Sequence, residues 1–123
     1  MHTSDEEQLE FEISFFEPVL ERNPNNIECL KALAEDYTRV GRYEDGLRAD
    51  LHLARLCPGD PVVQYNLACS LSLTGQVSRA IEVLTEAISL GYTDFDHIKK
   101  DPDLSNVRER PEFLDIIEFD DDE

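Results

Sequence analysis

Catalytic or metal chemistry in this chain would have to come from Cys29, Cys57 and Cys69, from His2, His52 and His97, and from its 28 Asp and Glu residues. Two carboxylate pairs are closely spaced, Asp94 with Asp96 and Asp101 with Asp103. Paired carboxylates do general acid–base work when their surroundings push their ionisation apart. An acidic residue just ahead of a helix has a simpler use, because its side chain accepts from the exposed first-turn amides. Asp101 directly precedes Pro102, a good first-turn residue, so these carboxylates are read as caps. No two cysteines form a C-x-x-C pair and no histidines lie at i, i+4, so no zinc site or other cofactor is expected. Neither His52 nor His97 has a spacing to Cys57 that supports a nucleophile pair. Gly-rich phosphate loops, G-x-S-x-G elbows, H-E-x-x-H pairs and calcium loops are lacking from the sequence. The expectation is a protein that is not an enzyme, with no catalytic and no metal-binding residues.

The three cysteines are widely spaced inside apolar periodic stretches, which suits small buried thiols in a reducing compartment. With no charged-then-apolar leader and no apolar run near the ~18 residues of a spanning helix, a cytoplasmic chain is expected. Eleven basic residues against 28 acidic ones give a formal charge of −17. That field opposes phosphates and anionic lipid head groups, so no nucleic acid and no membrane surface are expected as partners. Eight of the eleven cations are Arg, and the acids run along the whole chain. Dispersed acidity with few lysines suits a halophilic source, since carboxylates hold water and salt screens their repulsion. The other reading is a basic partner, for which the run Glu118, Asp120, Asp121, Asp122, Glu123 is the best local case. As a domain, residues 118–123 are expected to be a disordered acidic tail.

The chain, 123 residues long with 41% hydrophobic residues, carries an internal period. Pro24 and Pro58 are 34 residues apart, as are Gly41 and Gly75. Between the prolines, Leu30, Leu33, Ala34, Tyr37 and Val40 make one helical stripe, and Tyr43, Leu47, Leu51 and Ala54 make a second. Gly41 between them suits a left-handed helix end, giving a helical hairpin. Leu67, Ala68 and Leu71, then Val77, Ala80, Ile81, Leu84, Ala87 and Ile88, repeat the plan around Gly75, with Asp60–Pro61 as a capped start.

These residues make the sequence resemble the tetratricopeptide repeat (TPR) proteins: Leu33, Ala34, Tyr37, Gly41, Tyr43 and Pro58 in residues 27–60, and Leu67, Ala68, Gly75, Ala80, Leu84 and Ala87 in residues 61–94. The resemblance implies an all-α fold of antiparallel helical hairpins stacked as a short right-handed superhelix. It also implies a non-catalytic protein-interaction scaffold that binds a peptide or protein segment in a concave groove. Carried onto this chain, that groove holds Glu28, Lys31, Glu35 and Arg39 from the first repeat and Tyr65, Asn66, Cys69 and Leu73 from the second. Lys31 and Asn66 match part of a carboxylate clamp known in the family, but Glu35, Asp96 and the net charge oppose an acidic ligand. Gly46, Asp50 and Leu53 depart from the family pattern, which predicts a rotated or loosely packed second helix.

Residues 5–24 read as the second helix of an incomplete leading repeat, with Leu9, Ile13, Phe16 and Leu20 on one face. Pro18 inside it predicts a kink near Ser14 or a restart. Phe11 and Phe15 lie off that stripe, so an alternative function is structural self-assembly, a possible homodimer through the leading helix or the open array end. Residues 95–117 read as a helical C-terminal cap, with Leu104, Val107, Phe113 and Ile117 packed on the last repeat. Its Asp-Pro-Asp-Leu, Arg and Pro-x-Phe pattern resembles the tail that closes some small bacterial TPR proteins.

Overall fold

A computed structural model describes the backbone of residues 2–121 and the side chains of residues 5–118. Asp122 and Glu123, the end of the expected acidic tail, lie outside them. The described residues are all-α, with eight helices and no strand: α1 His2–Arg22, α2 Ile27–Arg39, α3 Tyr43–Leu56, α4 Pro61–Leu73, α5 Val77–Ser89, α6 Phe95–Lys100, α7 Ser105–Arg108 and α8 Glu112–Asp121. A 3-10 turn, Pro102–Leu104, joins α6 to α7. The chain divides into two compact units, one ending at Cys57 and one beginning at Pro58.

Each hairpin starts and stops where local chemistry dictates. Asn26 accepts from the Cys29 amide at 3.0 Å to open α2, and Asp60 accepts from the Val62 amide at 2.9 Å to open α4. Gly41 and Gly75 take φ of 86° and 84°, and behind them Arg42 N bonds Tyr37 O, and Gln76 N bonds Leu71 O, both at 2.8 Å. A side chain at either glycine would be strained in that left-handed backbone.

In the first unit α2 packs against α3 and against α1. Ile13, Cys29 and Leu33 form its buried centre, with Phe16, Val19, Leu20, Tyr37 and Val40 around them. Polar groups fasten the same seam: Tyr37 Oη donates to Glu17 at 2.5 Å, and the Arg42 guanidinium lies 4.8 Å from the Tyr37 ring centre. Burial first, and Glu17 second, push the Tyr37 phenol up to about 12.

Two expectations for this unit are corrected. α1 runs unbroken through Pro18, so there is no restart; Pro18 is exposed, and water can satisfy the carbonyl that loses its amide partner. α3 is not loosely packed. Gly46, Asp50 and Leu53 are all buried, and a Cβ on Gly46 would come within 3.0 Å of Thr38 Oγ1. The missing methyl group relieves that contact where α3 packs on α2.

In the second unit α4 and α5 pair, and the 3-10 turn, α7 and α8 pack against them. Leu104 and Val107 are fully buried and Phe113 nearly so. Ile116 rather than Ile117 takes the remaining inward position, at 3% exposed, one residue from the position the spacing predicted. Residues 118–121, expected to be disordered, continue α8 as far as Asp121.

Candidate functional site

The eight residues assigned to the groove fall into two sets, one in each unit. Glu28, Lys31, Glu35 and Arg39 all lie exposed on α2. They recur at steps of three or four residues and so share one face of the helix. Glu35 and Arg39 form a surface ion pair at 3.8 Å, with more than half of each side chain in solvent. Such a pair contributes little stability and leaves both groups free to exchange partners.

The second set divides. Asn66 is exposed and Leu73 half-buried, whereas Tyr65 and Cys69 are buried, at 3% and 7%. The C-terminal segment accounts for that burial. Tyr65 Oη donates to Asp101 Oδ2 at 2.5 Å, its ring stacks on Tyr92 at 4.1 Å between centroids, and His97 lies against it at 5.7 Å. Cys69 Sγ is 3.7 Å from the same carboxylate oxygen, and His97 Nε2 is 3.1 Å from it. Asn106 Nδ2 donates to the Ser72 carbonyl at 3.0 Å. Tyr65 and Cys69 are therefore corrected from groove contacts to docking positions for the chain's own cap.

The chemistry of this cluster keeps protons in place. Burial, then the neighbouring Cys69 and Asp101, push the Tyr65 phenol well above its usual range. Burial, then Asp101 and Asp103, do the same to the Cys69 thiol, which makes it a poor nucleophile at neutral pH. Cys69 Sγ and carboxylate oxygens of Asp101 and Asp103 do lie within 4.8 Å of one another, a spacing that could surround a metal ion. Asp101 is already committed, however: Oδ2 accepts from Tyr65 and Oδ1 accepts from the Asp103 amide at 3.0 Å. The arrangement works as a hydrogen-bonded clasp. Asp94, from the other carboxylate pair, caps α6 by accepting from the His97 amide at 3.1 Å. His52, considered as a partner for Cys57, hydrogen-bonds Asn25 Oδ1 at 2.8 Å instead.

A further acidic contact sits between α1 and α2. Asp36 is 5% exposed, and its Oδ2 has no hydrogen-bond partner among the described residues. The Glu12 carboxyl from α1 is the neighbouring group that acts on it most. Burial first, then Glu12, push Asp36 up to about 6, while Glu12 is lowered chiefly by its hydrogen bond with Asp36. A raised carboxyl contributes its full stabilisation below its unfolded value near 3.8 and loses it as pH rises through about 6. Asp36→Asn, which keeps a donor but cannot ionise, should exceed the native chain in stability by about 1–2 kcal/mol at pH 7. Urea melts at pH 4.5, 5.5 and 7 check this; the gap should widen with pH, and a constant gap would contradict it.

Sequence reasoning put Glu28, Lys31, Glu35 and Arg39 on one helix but missed the clasp. Its traces were present: a tyrosine and a cysteine one turn apart on α4, and an aspartate before Pro102 that could serve more than a cap.

No family model matches the chain. Over 80 residues it is 34% identical to a chloroplastic protein of Arabidopsis thaliana, a stretch covering 63% of this chain. The chain spans about a quarter (24%) of that protein's length. The sequence and structure therefore establish a helical-hairpin protein similar to one part of a longer plant protein.

Proposed function

We propose that this chain is a TPR-type, non-catalytic interaction module that binds a peptide or protein segment on the exposed polar face of α2. The observation that supports this reading is the run of Glu28, Lys31, Glu35 and Arg39 along one solvent-facing side of a helix whose opposite side is buried. A rigid helix presents such groups at fixed spacing, so little ordering is required on binding. The 34-residue recurrence of Gly41 and Gly75 and the paired hairpins support the repeat assignment. With a net charge of −17, the favoured ligand is basic or mixed polar, and nucleic acids and anionic membranes are disfavoured. Asn66 and Leu73 are further accessible positions in the second unit, while Tyr65 and Cys69 leave the contact set.

Affinity purification with the full chain, followed by titration calorimetry on a recovered peptide, tests the reading. Glu28→Lys with Glu35→Lys should weaken binding by tenfold or more while the helical circular dichroism signal stays unchanged. Equal affinity in native chain and variant would reject the α2 face as the binding surface.

A further inference from the structure

The leading helix presents a second surface that the α2 reading does not use. Leu9 and Ile13 turn into the first unit, while Phe11 and Phe15 turn outward at 67% and 59% exposure. They are four residues apart, so their rings project from one side of α1 about 6 Å apart along its axis. Phe15 is fixed by an edge-on contact with Phe16, ring centres 5.2 Å apart. Phe11 forms one wall of an open cleft of about 500 Å³, whose other lining residues are Glu6, Glu7, Glu10, Ser14 and Val40. Exposed single apolar residues are common, but two phenylalanines at helical spacing, one of them lining a cleft with Val40, form a ridge that another helix can pack against.

The charges around this ridge decide what can cover it. Three carboxylates line the cleft, and the cation recorded beside them is Arg42, 4.0 Å from Glu10. A second copy would bring another chain of −17, with the same acid-rich α1, against this rim and would offer its carboxylates no matching run of cations. Like charges at contact distance are not relieved by salt screening over ~8 Å. A cationic partner reverses the sign of every one of those interactions. We propose that the exposed aromatic face of α1 is a docking surface for a basic amphipathic helix, whose apolar side lies on Phe11 and Phe15 and whose Lys or Arg residues meet Glu6, Glu7 and Glu10. This is the helix-on-groove mode of recognition, with aromatic anchors for affinity and rim charges for choice of partner.

The test uses the full chain and two labelled 18-residue helical peptides with identical leucine faces, one with lysines on the polar side and one with glutamates. Fluorescence anisotropy at ~0.15 M salt should show saturable binding of the lysine peptide only. Phe11→Ser with Phe15→Ser should weaken it tenfold or more, and so should Glu6→Lys with Glu7→Lys; both pairs are exposed, and circular dichroism checks their folding. Glu28→Lys with Glu35→Lys, which tests the α2 face, should leave this affinity unchanged, so the two surfaces stand or fall separately. Undiminished binding by the phenylalanine variant would reduce the effect to general attraction between opposite charges and overturn the proposal. Sedimentation equilibrium that finds a dimer abolished by Phe11→Ser would overturn it too, by assigning the face to a second copy.

Discussion

Leu33→Ala should lower the stability of the first unit by about 3–4 kcal/mol, the largest loss expected from any single truncation there. Leu33 is 0% exposed and sits where Ile13 of α1 and Cys29 of α2 converge, ringed by Phe16, Val19, Leu20, Tyr37 and Val40. Removing three carbons from such a site forfeits their transfer free energy and leaves a cavity that neighbouring helices close only in part. Domains hold only about 5–15 kcal/mol in total, so the loss takes a large share of the reserve. Urea denaturation followed by circular dichroism should show a lower midpoint, and hydrogen exchange should quicken first in α1, which joins the unit through this cluster. Leu33→Met, which nearly conserves volume, should cost under about 1.5 kcal/mol. A loss below about 1 kcal/mol in Leu33→Ala would mean that α1 does not depend on this core.

Asp101→Ala should cost the second unit about 3 kcal/mol and expose Cys69. One carboxylate there accepts from Tyr65 Oη at 2.5 Å, caps the 3-10 turn through the Asp103 amide at 3.0 Å and lies 3.1 Å from His97 Nε2. Alanine leaves the buried phenol without an acceptor and the turn without its cap. An unmet buried donor costs about 1–3 kcal/mol and a lost cap about 0.5–2. Asp101→Asn retains an acceptor oxygen and should lose less. The readout that distinguishes a clasp from general destabilisation is thiol reactivity. Cys69 should react with a disulfide reagent much faster in Asp101→Ala than in the native chain, under conditions where α4 and α5 remain helical. Unchanged reactivity would show that Asp101 does not hold the cap over α4.

The contrast between α2 and α4 explains how much of the candidate surface was legible beforehand. Lys31, Glu35 and Arg39 on α2 lie 34 residues before Tyr65, Cys69 and Leu73 on α4, and periodicity treats the two sets alike. On α2 those positions stay in solvent. On α4 Asp101, from more than 30 residues further along the chain, returns to both Tyr65 and Cys69, and Tyr92 and His97 lie against the Tyr65 ring. A hydrophobic or aromatic stripe states that a face can be covered; it does not state by what. Gly46 makes the same point for packing. Helix propensity alone counts it as a weakness, yet a Cβ there would crowd Thr38 Oγ1 at 3.0 Å, so the missing side chain eases the packing of α3 on α2.

Residue order was enough to specify the helical hairpins, their bounds near Gly41 and Gly75, the capping roles of Asp60 and Asp101, and the placement of Phe11 and Phe15 away from the buried stripe of α1. Those are consequences of local backbone geometry, short-range hydrogen bonds and the 3.6-residue period. Folding in three dimensions was needed to establish the unbroken path of α1 through Pro18, the inward turn of Ile116, the burial of Asp36 beside Glu12, and the clasp of Asp101 on Tyr65. Each of these depends on what a distant segment brings to within a few ångströms, where burial and a single donor or acceptor outweigh local preference.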